Sequence, residues 1–298
     1  MRNLLGLVFG MVALFVLGLF AGGCGKVGAP AKAAGAVTIL TSFYPMHVMA
    51  LNIAGGVPGV TVRNLTQPTA GCLHDYQLSP QELAALADAD VLVVNGAGME
   101  AFLAKAVSQY PKLKMVAASQ GLDLIRDNTG VNPHLWVSPA GAMEQVRKIA
   151  EGLTVADPAH AAQYRANADA YFARLEALRK KMHAELDALP NRRIVTMHEA
   201  FPYFAREFKL EIAGVIEREP GSEPSAGELA GTIDAVRKSG IKAVFAEPQY
   251  PAKAVEAIAR ETGATVYTLD PAVTGPAEPD AYLKTMERNL EVLRRALR

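Results

Sequence analysis

Histidine is scarce in this chain, six in 298 residues, and three of the six follow short β-branched runs. His74 lies in "GCLHDYQLSP", His134 in "NPHLWVSP", and His198 directly behind "RIVTM", while Asp270 closes "ATVYTLD". In open parallel α/β sheets ligands sit outside the carboxyl ends of the strands, and all four residues qualify. Three neutral imidazoles and a carboxylate are a complete ligand set for a divalent transition metal, with bond lengths of about 2.0 to 2.2 Å that suit zinc. Because the imidazoles must be deprotonated, such a site weakens below about pH 6 to 6.5.

Other residues attach to this set. Glu247 in "FAEPQY" also ends a strand pattern, either as a second acidic ligand or as the partner that orients an imidazole; a capping carboxylate before Pro248 is the plainer alternative. Asp75 and Glu199 each follow a histidine and invite the same orienting role. Cys72, two residues before His74, is a good zinc ligand by chemistry, yet burial beside the site is the preferred reading over ligation. His160 and His183 fall on a long helical segment and read as structural or solvated, and His47 sits near the surface of the first helix pattern without an assignment.

Two tempting motifs fail. "NGAGMEAF" matches G-x-G-x-x-A at a strand-to-helix turn, but no acidic residue ends the following strand, so a tight turn is the better reading. "HEAFP" begins like the zinc-protease helix, which needs a second histidine four residues on and meets Pro202. The chain supplies ligands without an evident catalytic base, so a binding protein is expected rather than an enzyme. A zinc hydrolase using Glu199 or Glu247 as base is the alternative. A receptor for haem or a metal chelate is a third reading, which needs a larger apolar or cationic cleft.

The elements that must position these residues follow an α/β alternation. "VTILTSF", "VTVRNLT", "VLVVNG" and "KLKMVAAS" read as strands, with helices near 45–54, 80–89, 99–108 and 139–153. Ser79-Pro80 and Ser138-Pro139 each offer an N-cap followed by proline, and Glu82 completes a capping box with Ser79. Residues 157–189 are glycine-free, with apolar residues at Tyr164, Ala168, Phe172, Leu175, Leu178, Met182 and Leu186. They predict one continuous amphipathic helix of about 32 residues, roughly 48 Å long. That exceeds what a crossover needs and suits a connection between two lobes. Behind it the alternation resumes with "RIVTM", "LEIAGVI", "KAVFAE" and "ATVYTLD" and helices near 199–208, 225–239, 252–262 and 280–297. The halves share a layout without a sequence repeat.

Composition agrees with a globular chain: half the residues are hydrophobic, and 30 basic residues balance 30 acidic ones. No basic stripe argues for nucleic acid or an anionic membrane surface. The N-terminus, "MRNLLGLVFGMVALFVLGLFAGGCG", has one basic residue, an apolar run and small residues up to Cys24, the layout of an export signal over residues 1–23. "FAGGC" resembles a bacterial lipobox, with Ala21 where leucine is usual. Cys24 is the lipid-attachment candidate, against the alternative of a plain signal peptide or an uncleaved anchor. Residues 24–36 then form that anchor and a flexible tether.

At this point the chain resembles the zinc/manganese ABC-transporter substrate-binding lipoprotein family. The motifs that carry the resemblance are "TSFYPMHVMALNIAG", "HDYQLSP", "NPHLWVSP", "HEAFPYFAREFKL", "FAEPQY" and "LDP", in that order over residues 37–298. The resemblance implies two α/β lobes with parallel sheets flanked by helices, residues 37–156 and 190–298, joined by one long backbone helix over 157–189. It places His74, His134, His198 and Asp270 at the four metal-ligand positions. It also implies an exported monomer that delivers its ion to an ABC permease and that permease's ATPase. The third position is commonly glutamate in manganese receptors and histidine in zinc receptors, so His198 points to Zn2+ rather than Mn2+. The chain departs from the family pattern in lacking a long His- and acid-rich loop, and in having Leu73 where proline commonly precedes the histidine. A continuous linking helix resists bending, so small lobe movements are expected.

Overall fold

In the computed structural model the described residues are 35–73, 76–127, 130–217 and 223–298. The export segment, Cys24 with its tether, and His74 and Asp75 lie outside them. Among the described residues no helix is long and apolar enough to cross a membrane.

Strands β1 (Val37–Thr41), β2 (Val60–Asn64), β3 (Val91–Val94) and β4 (Lys114–Ala117) form a parallel sheet in the order β2-β1-β3-β4. Its connections carry α1 (Tyr44–Ala54), α2 (Pro80–Asp88) and the short α3 (Ala104–Val107). A small antiparallel pair that the sequence did not announce, β5 (Arg126–Asp127) with β6 (Gly130–Val131), leads towards α4 (Pro139–Ala156) and α5 (Ala161–Leu186). The second sheet holds β7 (Arg193–Thr196), β8 (Glu211–Val215), β9 (Ala243–Ala246) and β10 (Thr265–Thr268), parallel and in the order β10-β9-β7-β8. With it come α6 (Pro202–Phe208), α7 (Ala226–Ser239), α8 (Lys253–Thr262) and α9 (Ala281–Ala296).

The two sheets have the same strand order, second-first-third-fourth, so each reverses direction between its first and third strands. That reversal opens a crevice at the carboxyl ends of β1 and β3 in one sheet and of β7 and β9 in the other. Caps fix where the helices leave those crevices. Ser79 Oγ accepts from Glu82 N and the Glu82 carboxylate accepts from Ser79 N at 2.7 Å, while Ser138 Oγ accepts from Gly141 N at 3.2 Å.

The long helix is shorter than the expected 157–189. It runs from Ala161 to Leu186, 26 residues and about 39 Å. Asp157 ends α4 with φ −136° and ψ 81°, and Pro158–His160 form a 3₁₀ turn before α5 begins. The Asp157 carboxylate holds that break by accepting from Tyr164 Oη at 2.6 Å and His160 Nδ1 at 2.7 Å, so His160 is a structural residue. The buried stripe of α5 is Tyr164, Ala168, Tyr171, Leu175, Leu178, Met182 and Leu186, spaced by three or four. Tyr171 takes the place expected for Phe172, which lies under the Arg147 guanidinium, 4.2 Å from its ring centre.

α5 packs against α4, α1 and α9. Its stripe joins one apolar cluster that reaches Ile39 and Val91 at the first sheet and Ile194 and Phe245 at the second. The alternate residues Leu40 and Leu92, and Val195 and Val244, face separate outer clusters, the period-two signature of strands covered on both sides. His47 is buried in α1 rather than near the surface, with its Nδ1 3.3 Å from Thr41 Oγ1.

Candidate metal site

His198 lies two residues beyond β7, and Glu247 is the first residue beyond β9, so the crevice of the second sheet brings them together. His198 Nδ1 is 2.6 Å from Glu247 Oε1, and both side chains are 1% exposed. A carboxylate accepts, so Nδ1 keeps a hydrogen, and Nε2, which faces away, becomes the ligand atom when its own proton leaves. Burial alone would lower the basicity of His198. Contacts with Cys72 and the Glu247 carboxylate outweigh it and push the imidazole up to about 10.

His134 follows β6 through Asn132 and Pro133, at the mouth of the 3₁₀ turn that leads into α4. Asn132 Oδ1 accepts both the His134 backbone N–H at 3.0 Å and ring Nδ1 at 3.1 Å. The backbone donor identifies that atom as the amide oxygen, so here too Nδ1 is the donor and Nε2 the ligand atom. Asn132 Nδ2 donates to the Glu199 carbonyl at 2.8 Å, tying this turn to the residue after His198. Glu199 thus contributes through its backbone.

The first sheet has its own buried carboxylate at the corresponding crevice. Glu100 accepts from Ser42 Oγ at 2.7 Å, Asn95 N at 2.7 Å and Gly96 N at 2.9 Å, and burial pushes its carboxyl up. Asn95 Nδ2 donates onward to the Pro133 carbonyl at 3.0 Å, immediately before His134. Glu100, Asn95 and Asn132 were not singled out in the sequence. The asparagine two residues before His134 was the signal available, because such a side chain readily folds back on its own loop.

Cys72 meets both histidines. Its Sγ is 3.7 Å from His134 Nε2 and 3.7 Å from His198 Nε2, and the three ligand atoms lie within 4.8 Å of one another. The imidazole rings are 5.3 Å apart at 72°. Tyr250, four residues beyond β9, closes the group from the side: its ring stands edge-on to His198 at 6.0 Å, and its Oη accepts from Cys72 N at 3.4 Å. Gly71 makes this approach feasible, since φ is +75° and a Cβ there would lie 2.8 Å from Tyr250 Oη.

Asp270 is not a member of that group among the described residues. It follows β10, and its Oδ1 accepts from Ala272 N at 2.9 Å and Gln249 Nε2 at 3.1 Å, while Asn289 holds its backbone at both N–H and C=O. His74 and Asp75 lie outside the described residues, with buried Leu73 preceding them.

Two imidazole nitrogens and a sulfur, all converging and two of them held by neighbours, can bind a borderline divalent cation. Residues 39–296 match the family described as ZnuA, zinc-uptake complex component A, periplasmic. The manganese-binding lipoprotein MntA of Halalkalibacterium halodurans is 28% identical over 93% of this chain and 94% of its own length. The high-affinity zinc uptake system protein ZnuA of Bacillus subtilis is 26% identical over 97% of each chain. Among solved structures, the substrate-binding protein FpvC of Pseudomonas aeruginosa in complex with Ni2+ superposes with a TM-score of 0.79 at 32% identity, covering 88% of this chain and 97% of that one. These likenesses give the zinc-hydrolase alternative no support. The match spans both sheets, the linking helix and every described residue of the histidine group, and the chain belongs to the ZnuA family.

Proposed function

We propose that this protein is an extracytoplasmic receptor that binds a divalent metal ion, Zn2+ by preference, and hands it to an ABC permease whose ATPase drives import. The observation that carries the reading is the pair of buried imidazoles, His134 and His198, each fixed by an acceptor on Nδ1 and presenting Nε2 to a common point. Relatives named for zinc and for manganese, and a structural neighbour in complex with nickel, support a metal cargo. Fixed nitrogen donors favour zinc over manganese, which prefers oxygen. His74 and Asp270 are the further candidate ligands in this reading. Glu247 is engaged as the acceptor of the His198 hydrogen, which leaves it an orienting group rather than a base for water. The protein is an exported monomer anchored through acylated Cys24.

Elemental analysis and competitive metal titration of the full-length protein and of His198→Ala test this. One tightly held zinc is expected, weakened in the variant about a hundredfold or more, at or beyond the 10–100-fold cost usual for an outer partner. The absence of any stoichiometric metal refutes the receptor reading.

A further inference from the structure

The sulfur of Cys72 stands where a metal ligand would stand. In a tetrahedral zinc site a sulfur at about 2.3 Å and an imidazole nitrogen at about 2.0 to 2.1 Å from the ion are separated by about 3.6 Å. Cys72 Sγ is 3.7 Å from His134 Nε2 and 3.7 Å from His198 Nε2, so each sulfur–nitrogen edge has close to the length that shared ligation of one ion requires. A thiol hydrogen serves one nitrogen at a time, so at most one of the two contacts is its donation. Two equal sulfur–nitrogen edges, each to an Nε2 whose ring is already fixed at Nδ1, give the sulfur the place of a shared ligand.

The surroundings hold the sulfur in that place. Tyr250 Oη takes the Cys72 N–H, and Gly71 at φ +75° turns the chain so that residue 72 points at the histidines. Leu73, fully buried, anchors the loop on the other side. Both histidines are at least nine-tenths buried, and Cys72 is partly buried.

We propose that Cys72 is a thiolate ligand of the bound ion, so that the cargo face of this receptor is Cys72, His134 and His198. The inference rests on the metal-receptor reading and sharpens its substrate class. A sulfur and two imidazoles select borderline and soft divalent ions, Zn2+ and Cd2+, and disfavour Mn2+, which prefers oxygen ligands.

The experiment is X-ray absorption at the zinc edge and ultraviolet spectroscopy of the cobalt form, on the full-length protein and on Cys72→Ser and Cys72→Ala. One sulfur scatterer at about 2.3 Å is expected. A sulfur-to-cobalt charge-transfer band, absent from both variants, is expected with it. The variants keep one equivalent of metal and lose at least about tenfold of the preference for zinc over manganese. The absorption measurement needs no variant and so survives a substitution that fails to fold. One bound metal with a shell of nitrogen and oxygen alone, and no charge-transfer band, overturns the inference and leaves the receptor reading standing. No stoichiometric metal in the unaltered protein overturns both.

Discussion

His198 and Glu247 stand at the ends of neighbouring strands with 2.6 Å between Nδ1 and Oε1 and almost no exposure to solvent. The carboxylate fixes the tautomer and the rotation of the ring, which decides where Nε2 points. Glu247→Gln and Glu247→Ala are expected to weaken zinc binding about 10–100-fold. The loss is greater for alanine, because an amide oxygen can still accept the Nδ1 hydrogen. Competitive titration against a chelator of known affinity reads both values.

Gly71 and Tyr250 share one small space, with 2.8 Å between the position of a Cβ on residue 71 and Tyr250 Oη. Gly71→Ala should cost about 1 to 2 kcal/mol from its left-handed backbone alone, and the contact adds to it. Tyr250→Phe removes the hydroxyl and relieves the contact without relieving the backbone. The double variant is therefore expected to be more stable than the sum of the single losses, a coupling measurable by chemical denaturation.

His47 gives the fold an acid sensitivity apart from the metal site. Burial lowers its pKa to about 4 from 6.5, so the unfolded chain takes up the proton more readily than the folded one. Its contribution to stability is complete above pH 6.5 and is lost as the pH falls towards 4, at most about 3 kcal/mol. His47→Gln, which cannot titrate, should flatten that part of the stability profile measured by denaturant unfolding at a series of pH values. An unchanged slope would place the acid sensitivity elsewhere.

Metal loading should change the overall dimensions little. The turn carrying His134 is tied to both halves: Asn95 Nδ2 donates to the Pro133 carbonyl at 3.0 Å on one side, and on the other Trp136 Nε1 donates to the Pro271 carbonyl at 2.9 Å, Tyr282 Oη to the Trp136 carbonyl at 2.8 Å, and Tyr203 Oη to the Asn132 carbonyl at 2.9 Å. Hinge closure would have to break these buried bonds, at about 1 to 3 kcal/mol for each group left unpaired. Small-angle scattering with and without zinc should give closely similar radii of gyration, and a large compaction would refute the expectation.

Much of this was legible in one dimension. The β-branched runs at 37–41, 91–94, 193–196 and 243–246 and the Ser-Pro caps at 79 and 138 announced the sheets and the helix starts, because strand burial and capping act over a few residues. The break at Asp157 was missed, since its cause is a carboxylate reaching Tyr164 and His160 rather than a change in periodicity. The swap of Tyr171 for Phe172 arose similarly, as both positions satisfy a helical stripe and only the Arg147 contact separates them.

The sequence by itself determined which residues could bind an ion, because ligand chemistry belongs to side-chain type, and it placed His198 and Glu247 at strand ends. Only the tertiary structure decided how they combine. It set His198 and Glu247 on adjacent strands although 49 residues separate them in the chain. It engaged Asp270 with Gln249 and Ala272, and it brought Cys72 within 3.7 Å of two histidines that lie 62 and 126 residues away. Strand order and loop closure are collective results of packing both sheets on one helix, and no local pattern encodes the distances they produce.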